Sequence, residues 1–283
     1  MPLNLRIALI PLYLMLLACV LAISVPPARA EVAITFPQAV QQSAMVIGRV
    51  PPGSKVEYAG RELRVTGYGT VVLGVPRDAQ AEVTVKVTPP DAAPQEVAIR
   101  VEPRAWDVER ISGVPPRTVS PPPEIAERIR REQAEVSASR GRDDPRTDFV
   151  EPFVWPVKGR ISGRFGNMRV YNGTPGAPHS GMDIAAANGT PVVAPASGVV
   201  TFANPDLYLT GGTLLLDHGY GISSNFLHLS RIDVEIGQRV EQGEVIGAVG
   251  ATGRATGPHL HWGMNWFDVR LDPLLVLECS ADR

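Results

Sequence analysis

The sequence predicts a mainly β chain: an N-terminal immunoglobulin-like sandwich, a helical linker and a C-terminal antiparallel β domain. Glycine and proline number 27 each among 283 residues, a usage that favours turn-rich β structure over helical bundles. Short runs of alternating apolar and polar residues recur along both halves, the period of half-buried strands. One stretch, 123–140, lacks glycine and is rich in Ala, Glu and Arg, and it alone reads as a long helix. A formal charge of −2 gives no electrostatic footprint for nucleic acid, so no nucleic-acid partner is expected. Two cysteines, Cys19 and Cys279, make no disulfide framework.

Residues 1–30 read as an export signal. Arg6 precedes an apolar run, 7–25, and Ala28-Arg29-Ala30 is a small-x-small cleavage site that would start the mature chain at Glu31. A retained membrane anchor and a lipidated Cys19 are the alternative readings. All three place the body in the periplasm or at the outer face of the cytoplasmic membrane. Residues 31–102 follow as the immunoglobulin-like domain, with strands expected at 32–36, 44–50, 55–59, 62–66, 70–75, 81–87 and 95–101. Turn residues such as Pro51-Pro52-Gly53 and Pro89-Pro90-Asp91 separate them. This domain has no histidine and no clustered carboxylates, so it reads as a binding or positioning module, with a cell-envelope partner as the expectation. Residues 103–150 form a Pro-rich linker with a helix near 123–140. Its apolar stripe, Ile125, Ile129 and Ala134, is thin, and leaves a docked and a solvated helix equally open.

Residues 151–283 form the C-terminal domain, with strands expected at 199–203, 212–217, 224–229, 239–249 and 259–264 and almost no helix. All five histidines, His179, His218, His228, His259 and His261, lie here. In a strand, His259 and His261 point to one face and Leu260 to the other. His179 and Asp183 are four apart, but Pro178 and Gly181 exclude a stable helix, so His179 belongs to a loop and Asp183 to the start of a strand. His179, Asp183 and one of the two strand histidines would give three protein ligands and an open position, the arrangement of a catalytic zinc site. Trp262 should face the core. Trp266 fits either the core or a cleft wall, and its residue type favours the core.

Several separated blocks resemble the lysostaphin/LytM-type zinc endopeptidases of bacterial peptidoglycan. They are His179-Ser-Gly-Met-Asp183-Ile-Ala-Ala, then Gly189-Thr-Pro-Val-Val-Ala-Pro-Ala-Ser-Gly, Leu216-Asp-His-Gly, Leu227-His228-Leu-Ser and Gly250-Ala-Thr-Gly-Arg-Ala-Thr-Gly-Pro-His259-Leu-His261. The resemblance spans roughly 155–274. It implies a zinc-dependent metallopeptidase domain, with Zn2+ held by His179, Asp183 and His261 and with His259 and His228 as catalytic histidines. Which of these two is the base and which stabilises the oxyanion is left open by the spacing. Strand alternation would put His228 on one face with Phe226 and Ser230. His218 reads as a turn residue at a strand end. The implied activity is hydrolysis of peptide cross-links in peptidoglycan.

Two rival classes share parts of this pattern. The 237–247 hairpin resembles biotin or lipoate carriers, but the last lysine is Lys158, so no attachment lysine is present. A LytM-type domain can also serve as a non-enzymatic activator of cell-wall amidases after losing zinc ligands. Here the implied ligand set is whole, and the enzyme is the expectation.

Overall fold

The computed structural model describes residues 33–281. Residues 1–30, read from the sequence as an export signal, and Cys19 with them lie outside the described residues. The chain is mostly β, as its patterning predicts.

In the N-terminal part, a five-stranded sheet runs in the order Ala39–Gln41, Gln95–Glu102, Glu82–Thr88, Lys55–Tyr58, Arg61–Leu63. A second sheet pairs Met45–Arg49 with Thr70–Gly74. Alternation sets the faces: Val85 and Val87 are buried, while Glu82, Thr84 and Lys86 between them are exposed. Within the expected strand at 32–36, the described residues 33–36 form no continuous ladder. Thr35 makes a single bridge to Arg49, and Pro37 lacks the amide that would extend the ladder.

The C-terminal part centres on an eight-stranded sheet. Its order is Arg239–Val240, Gly198–Leu207, Gly211–Asp217, Ile222–Leu229, His259–Trp266, Met182–Ala185, Arg160–Gly163, with Val269–Leu271 also paired to His259–Trp266. All its pairs are antiparallel. The expected strand at 239–249 is two strands, Arg239–Val240 and Val245–Ala248, because Gly243 adopts φ +84° in an intervening turn. A helix absent from the sequence reading, Pro273–Ala281, follows the sheet. Its start is explicable: Asp272 Oδ1 accepts a 2.9 Å bond from the Leu274 amide, and Pro273 occupies the first turn.

One apolar cluster runs through both parts. Trp266 is buried and packs against Tyr58 of the N-terminal sheet, with ring centroids 5.6 Å apart. Gly74 permits this approach, since a Cβ there would lie 2.8 Å from Trp266 Cβ and 3.0 Å from Leu271. The segment between them is also docked. Val108–Ile111 pairs in parallel with Met168–Tyr171. The helix Pro123–Arg140 carries Glu124 in its first turn and Arg140 in its last, matching its dipole. It has no buried residue, and polar contacts settle it against the sheet. Glu132 accepts a 2.9 Å bond from the Tyr208 amide, and Arg128 donates to the Asp206 carbonyl at 2.7 Å. Val136 adds an apolar contact to Phe202, Leu207 and Leu215.

His218 closes the core beneath the strand ends. Its Nδ1 donates to the Ser197 carbonyl at 2.7 Å, its Nε2 accepts from Ser224 Oγ at 2.9 Å, and Phe153 packs edge-on to the ring. Burial pushes its pKa down to about 4, with partial relief from the Ser197 hydrogen bond. The unfolded chain therefore binds a proton below about pH 6.5 that the native state refuses until about pH 4. Stability from this group is complete above pH 6.5 and falls with pH, by about 2 kcal/mol at pH 5. Urea midpoints at pH 7 and pH 5 should show a larger drop for the native protein than for His218→Gln. Equal drops would remove His218 from the account.

Candidate functional site

Three donor atoms converge on one point of the large sheet. Asp183 and His261 sit directly opposite each other on adjacent antiparallel strands. That register brings Asp183 Oδ1 within 2.8 Å of His261 Nδ1. His179 comes from the preceding loop. This loop is fixed by backbone bonds from His179 N to the Asn167 carbonyl and from Gly166 N to the His179 carbonyl, both 2.9 Å. His179 Nδ1 donates to the Arg164 carbonyl at 2.9 Å, so its Nε2 lone pair is free. That Nε2 lies 3.0 Å from Asp183 Oδ1 and 3.0 Å from His261 Nδ1. All three residues are buried.

Protein hydrogens alone leave this cluster unsatisfied. Three potential acceptor atoms face one another, and the single proton of a neutral His261 serves only one ring nitrogen. His261 Nε2 is buried without a hydrogen-bond partner. Burial pulls the His261 pKa down to about 3 against the pull of the Asp183 carboxylate, so the ring is neutral at pH 7. Burial opposes ionisation of Asp183, but its close contacts with the His179 and His261 rings hold its pKa well below the usual carboxylate range. A carboxylate and two imidazoles, aimed at one another, are the donor set that fits a divalent zinc-like cation. Space is kept by Gly181, where a Cβ would stand 2.6 Å from His261 Nε2.

His259 and His228 flank the triangle. His259 Nδ1 donates to the Gly257 carbonyl at 2.8 Å, which leaves its Nε2 lone pair facing the site, 3.8 Å from Asp183 Oδ1. The His228 ring centroid is 4.9 Å from that of His259, and its Nδ1 donates to the Thr252 carbonyl at 2.8 Å. Burial, then the neighbouring His259 charge, lowers the His228 pKa to about 4. The expected sharing of a face with Phe226 is wrong. Phe226 is fully buried in the core, whereas His228 has φ +64° and turns out of the strand's alternation into the site. His218 is not part of this cluster. Trp262 is fully buried on the opposite side of its strand, as alternation requires.

The Peptidase family M23 profile matches residues 177–273, which contain every residue of this cluster. A solved structure of a candidate M23 peptidase from Pseudomonas aeruginosa is similar along most of the chain: 33% identity over 83% of this chain and 94% of that one, with a TM-score of 0.66. The chain belongs to peptidase family M23. Curated relatives resemble the C-terminal part. "Peptidoglycan DD-endopeptidase ShyA" of Vibrio cholerae is 43% identical over 111 residues, 38% of this chain and 26% of that protein. "Cell division protein DipM" of Caulobacter vibrioides is 37% identical over 131 residues, 44% of this chain and 21% of that protein. The chain thus spans about a fifth to a quarter of the length of these curated relatives.

The M23 site here includes partners that the sequence did not announce. Arg169 Nη2 contacts Asp183 Oδ2 at 2.5 Å, and Arg169 Nε lies 3.3 Å from Glu109 Oε2. Glu109 Oε1 also accepts from Asn167 Nδ2 at 2.8 Å. One carboxylate oxygen of Asp183 thus belongs to the triangle while Arg169 fixes the other, the kind of outer support that would orient a metal ligand. Glu109 belongs to the linker strand and is 60 residues from Arg169, so no local pattern could expose the pair.

The site opens into a cavity of about 690 Å³. Its floor is the sheet near His179, His228 and His261, and its opposite wall includes Ile129, Glu132 and Val136 of the linker helix.

Proposed function

We propose that this protein is an exported zinc-dependent endopeptidase that hydrolyses peptide cross-links of bacterial peptidoglycan. The observation that carries this reading is the His179–Asp183–His261 triangle with two further imidazoles beside it. Membership of a peptidase family and the similarity to a peptidoglycan DD-endopeptidase supply the reaction class and the substrate class. His179, Asp183 and His261 would hold Zn2+ through Nε2, Oδ1 and Nδ1, the atoms that converge. Zinc bound there supplies a water of near-neutral pKa and polarises the scissile carbonyl.

The protein groups do the rest. His259, with its proton committed to Gly257, presents a basic Nε2 that takes the proton of the attacking water and passes it to the leaving amine. His228 carries its own proton on Nδ1, toward Thr252. With its pKa lowered to about 4 the ring takes no second proton at neutral pH, so Nε2 is an acceptor beside His259, and a bond to the oxyanion would use the opposite tautomer with the proton on Nε2. Arg169 holds the second carboxylate oxygen of Asp183 and so orients it.

The export segment, 1–30, would deliver this chemistry to the wall, and the exported chain should begin at Glu31. A cell-envelope partner for the N-terminal module belongs to the same reading. The deciding experiment incubates the zinc-loaded mature chain with purified peptidoglycan and identifies released fragments by mass spectrometry. Fragments with newly freed amino groups are expected, and chelator should abolish them. Walls left intact by zinc-loaded protein would refute the reading.

A further inference from the structure

We infer that the cavity holds a carboxylate-binding subsite, built from Arg140 and Arg270, about four residues along the groove from the metal-ligand triangle. This deepens the peptidase reading and rests on it for the position of the scissile bond.

The floor beyond the triangle is set by the pleat of the His259–Trp266 strand. His261, Gly263 and Asn265 fall on one face, and four steps of roughly 3.4 Å carry the groove about 14 Å from His261 to Asn265. Gly263 keeps the floor low: a Cβ there would meet Asn225 Oδ1 at 2.6 Å. Arg270 stands opposite Asn265 on the neighbouring strand. A chain of hydrogen bonds then leads back toward the triangle. Arg270 Nη1 donates to Asn265 Oδ1 at 2.8 Å, and Asn265 Nδ2 donates to Asn225 Oδ1 at 3.4 Å.

Arg140, the last residue of the linker helix, faces the same cavity as Arg270 and Asn225. Among the described residues neither arginine forms an ion pair, although the fold pairs Arg128, Arg146, Arg169 and Arg239 with carboxylates. Arg140 Nε is buried with no hydrogen-bond partner. Asp268 lies at the exposed edge of the cavity and pairs with neither. Burial, then the charge of Arg140, lowers the Arg270 pKa to about 9, the sign of a cation lacking its counter-charge. Two partly buried guanidinium groups at the end of a groove match a planar carboxylate, which accepts paired N–H donors. The ligand is an extended peptide with a free carboxylate three to four residues from the bond that is cut.

The test uses two synthetic cross-link peptides that differ only in whether that carboxylate is free or amidated. Their Kd values are measured by calorimetric titration into the zinc-depleted mature chain, and kcat and KM on the zinc-loaded chain. The free acid should bind about ten- to a hundredfold more tightly, and the difference should appear in KM. Arg270→Gln and Arg140→Ala should each shrink that ratio toward one. Arg140 ends a helix that has no fully buried residue, so its variant keeps the test open if Arg270→Gln fails to fold. Equal Kd values for acid and amide, or discrimination unchanged in both variants, would overturn the subsite. Discrimination in Kd with no cleavage of either peptide would uphold the subsite and refute the peptidase reading. Cleavage of both peptides with equal KM would do the reverse.

Discussion

Replacing His261 with alanine should strip the dialysed protein of its metal and lower its release of wall peptides by roughly 10³-fold or more. The ligand triangle explains the size of the effect. His261 Nδ1 is 2.8 Å from Asp183 Oδ1 and 3.0 Å from His179 Nε2, so its loss leaves two donors where an open catalytic site needs three. Metal-bound water and carbonyl polarisation supply several kcal/mol of transition-state stabilisation, and about 1.4 kcal/mol is a factor of ten in rate. The fold should survive, because Leu260 and Trp262, on the other face of the strand, keep their places in the core. The measurement is metal content by atomic emission beside thermal melting and peptide release. A folded His261→Ala protein that still carried one zinc per chain would remove His261 from the ligand set.

His259→Ala should behave differently, with metal retained near one per chain and turnover lowered by about 10²- to 10⁴-fold, the usual worth of a general acid–base group. His259 is anchored to the Gly257 carbonyl rather than to the triangle, and its Nε2 approaches Asp183 only to 3.8 Å. His228→Ala should likewise keep its metal and lose rate. The two effects should not multiply in the double variant, because the rings are 4.9 Å apart and act at one reacting centre. Loss of zinc from His259→Ala with retention in His261→Ala would mean that the two strand histidines exchange parts.

The placement of these residues was legible to different degrees, for physical reasons. The period of two in a strand is rigid, so His259 and His261 could be put on one face and Trp262 on the other from the sequence alone. His179 could be put on a loop because Pro178 and Gly181 exclude the helix that its spacing from Asp183 suggests. The partnership of Asp183 with His261 depends on strand register 78 residues apart, and it was carried by family resemblance. His228 defeated alternation because one left-handed residue turns its side chain to the other face. Glu109 and Arg169 were invisible, since an ion pair between distant segments leaves no periodic trace. The short helix Pro273–Ala281 does carry a local signal in its Asp272-Pro273 start, although the apolar run after it reads equally as a buried strand.

The contact of Trp266 with Tyr58 across Gly74 bears on how the molecule comes apart. The strand that bears His259 and His261 at one end bears Trp266 at the other, so loosening the N-terminal sheets tugs on the histidine-bearing strand itself. Heat or denaturant therefore meets a single cooperative block rather than two beads on a string, and calorimetric and van't Hoff enthalpies should agree. Swapping the N-terminal module for an unrelated one would leave an indole stranded in water and a socket unfilled. The two parts can change only together.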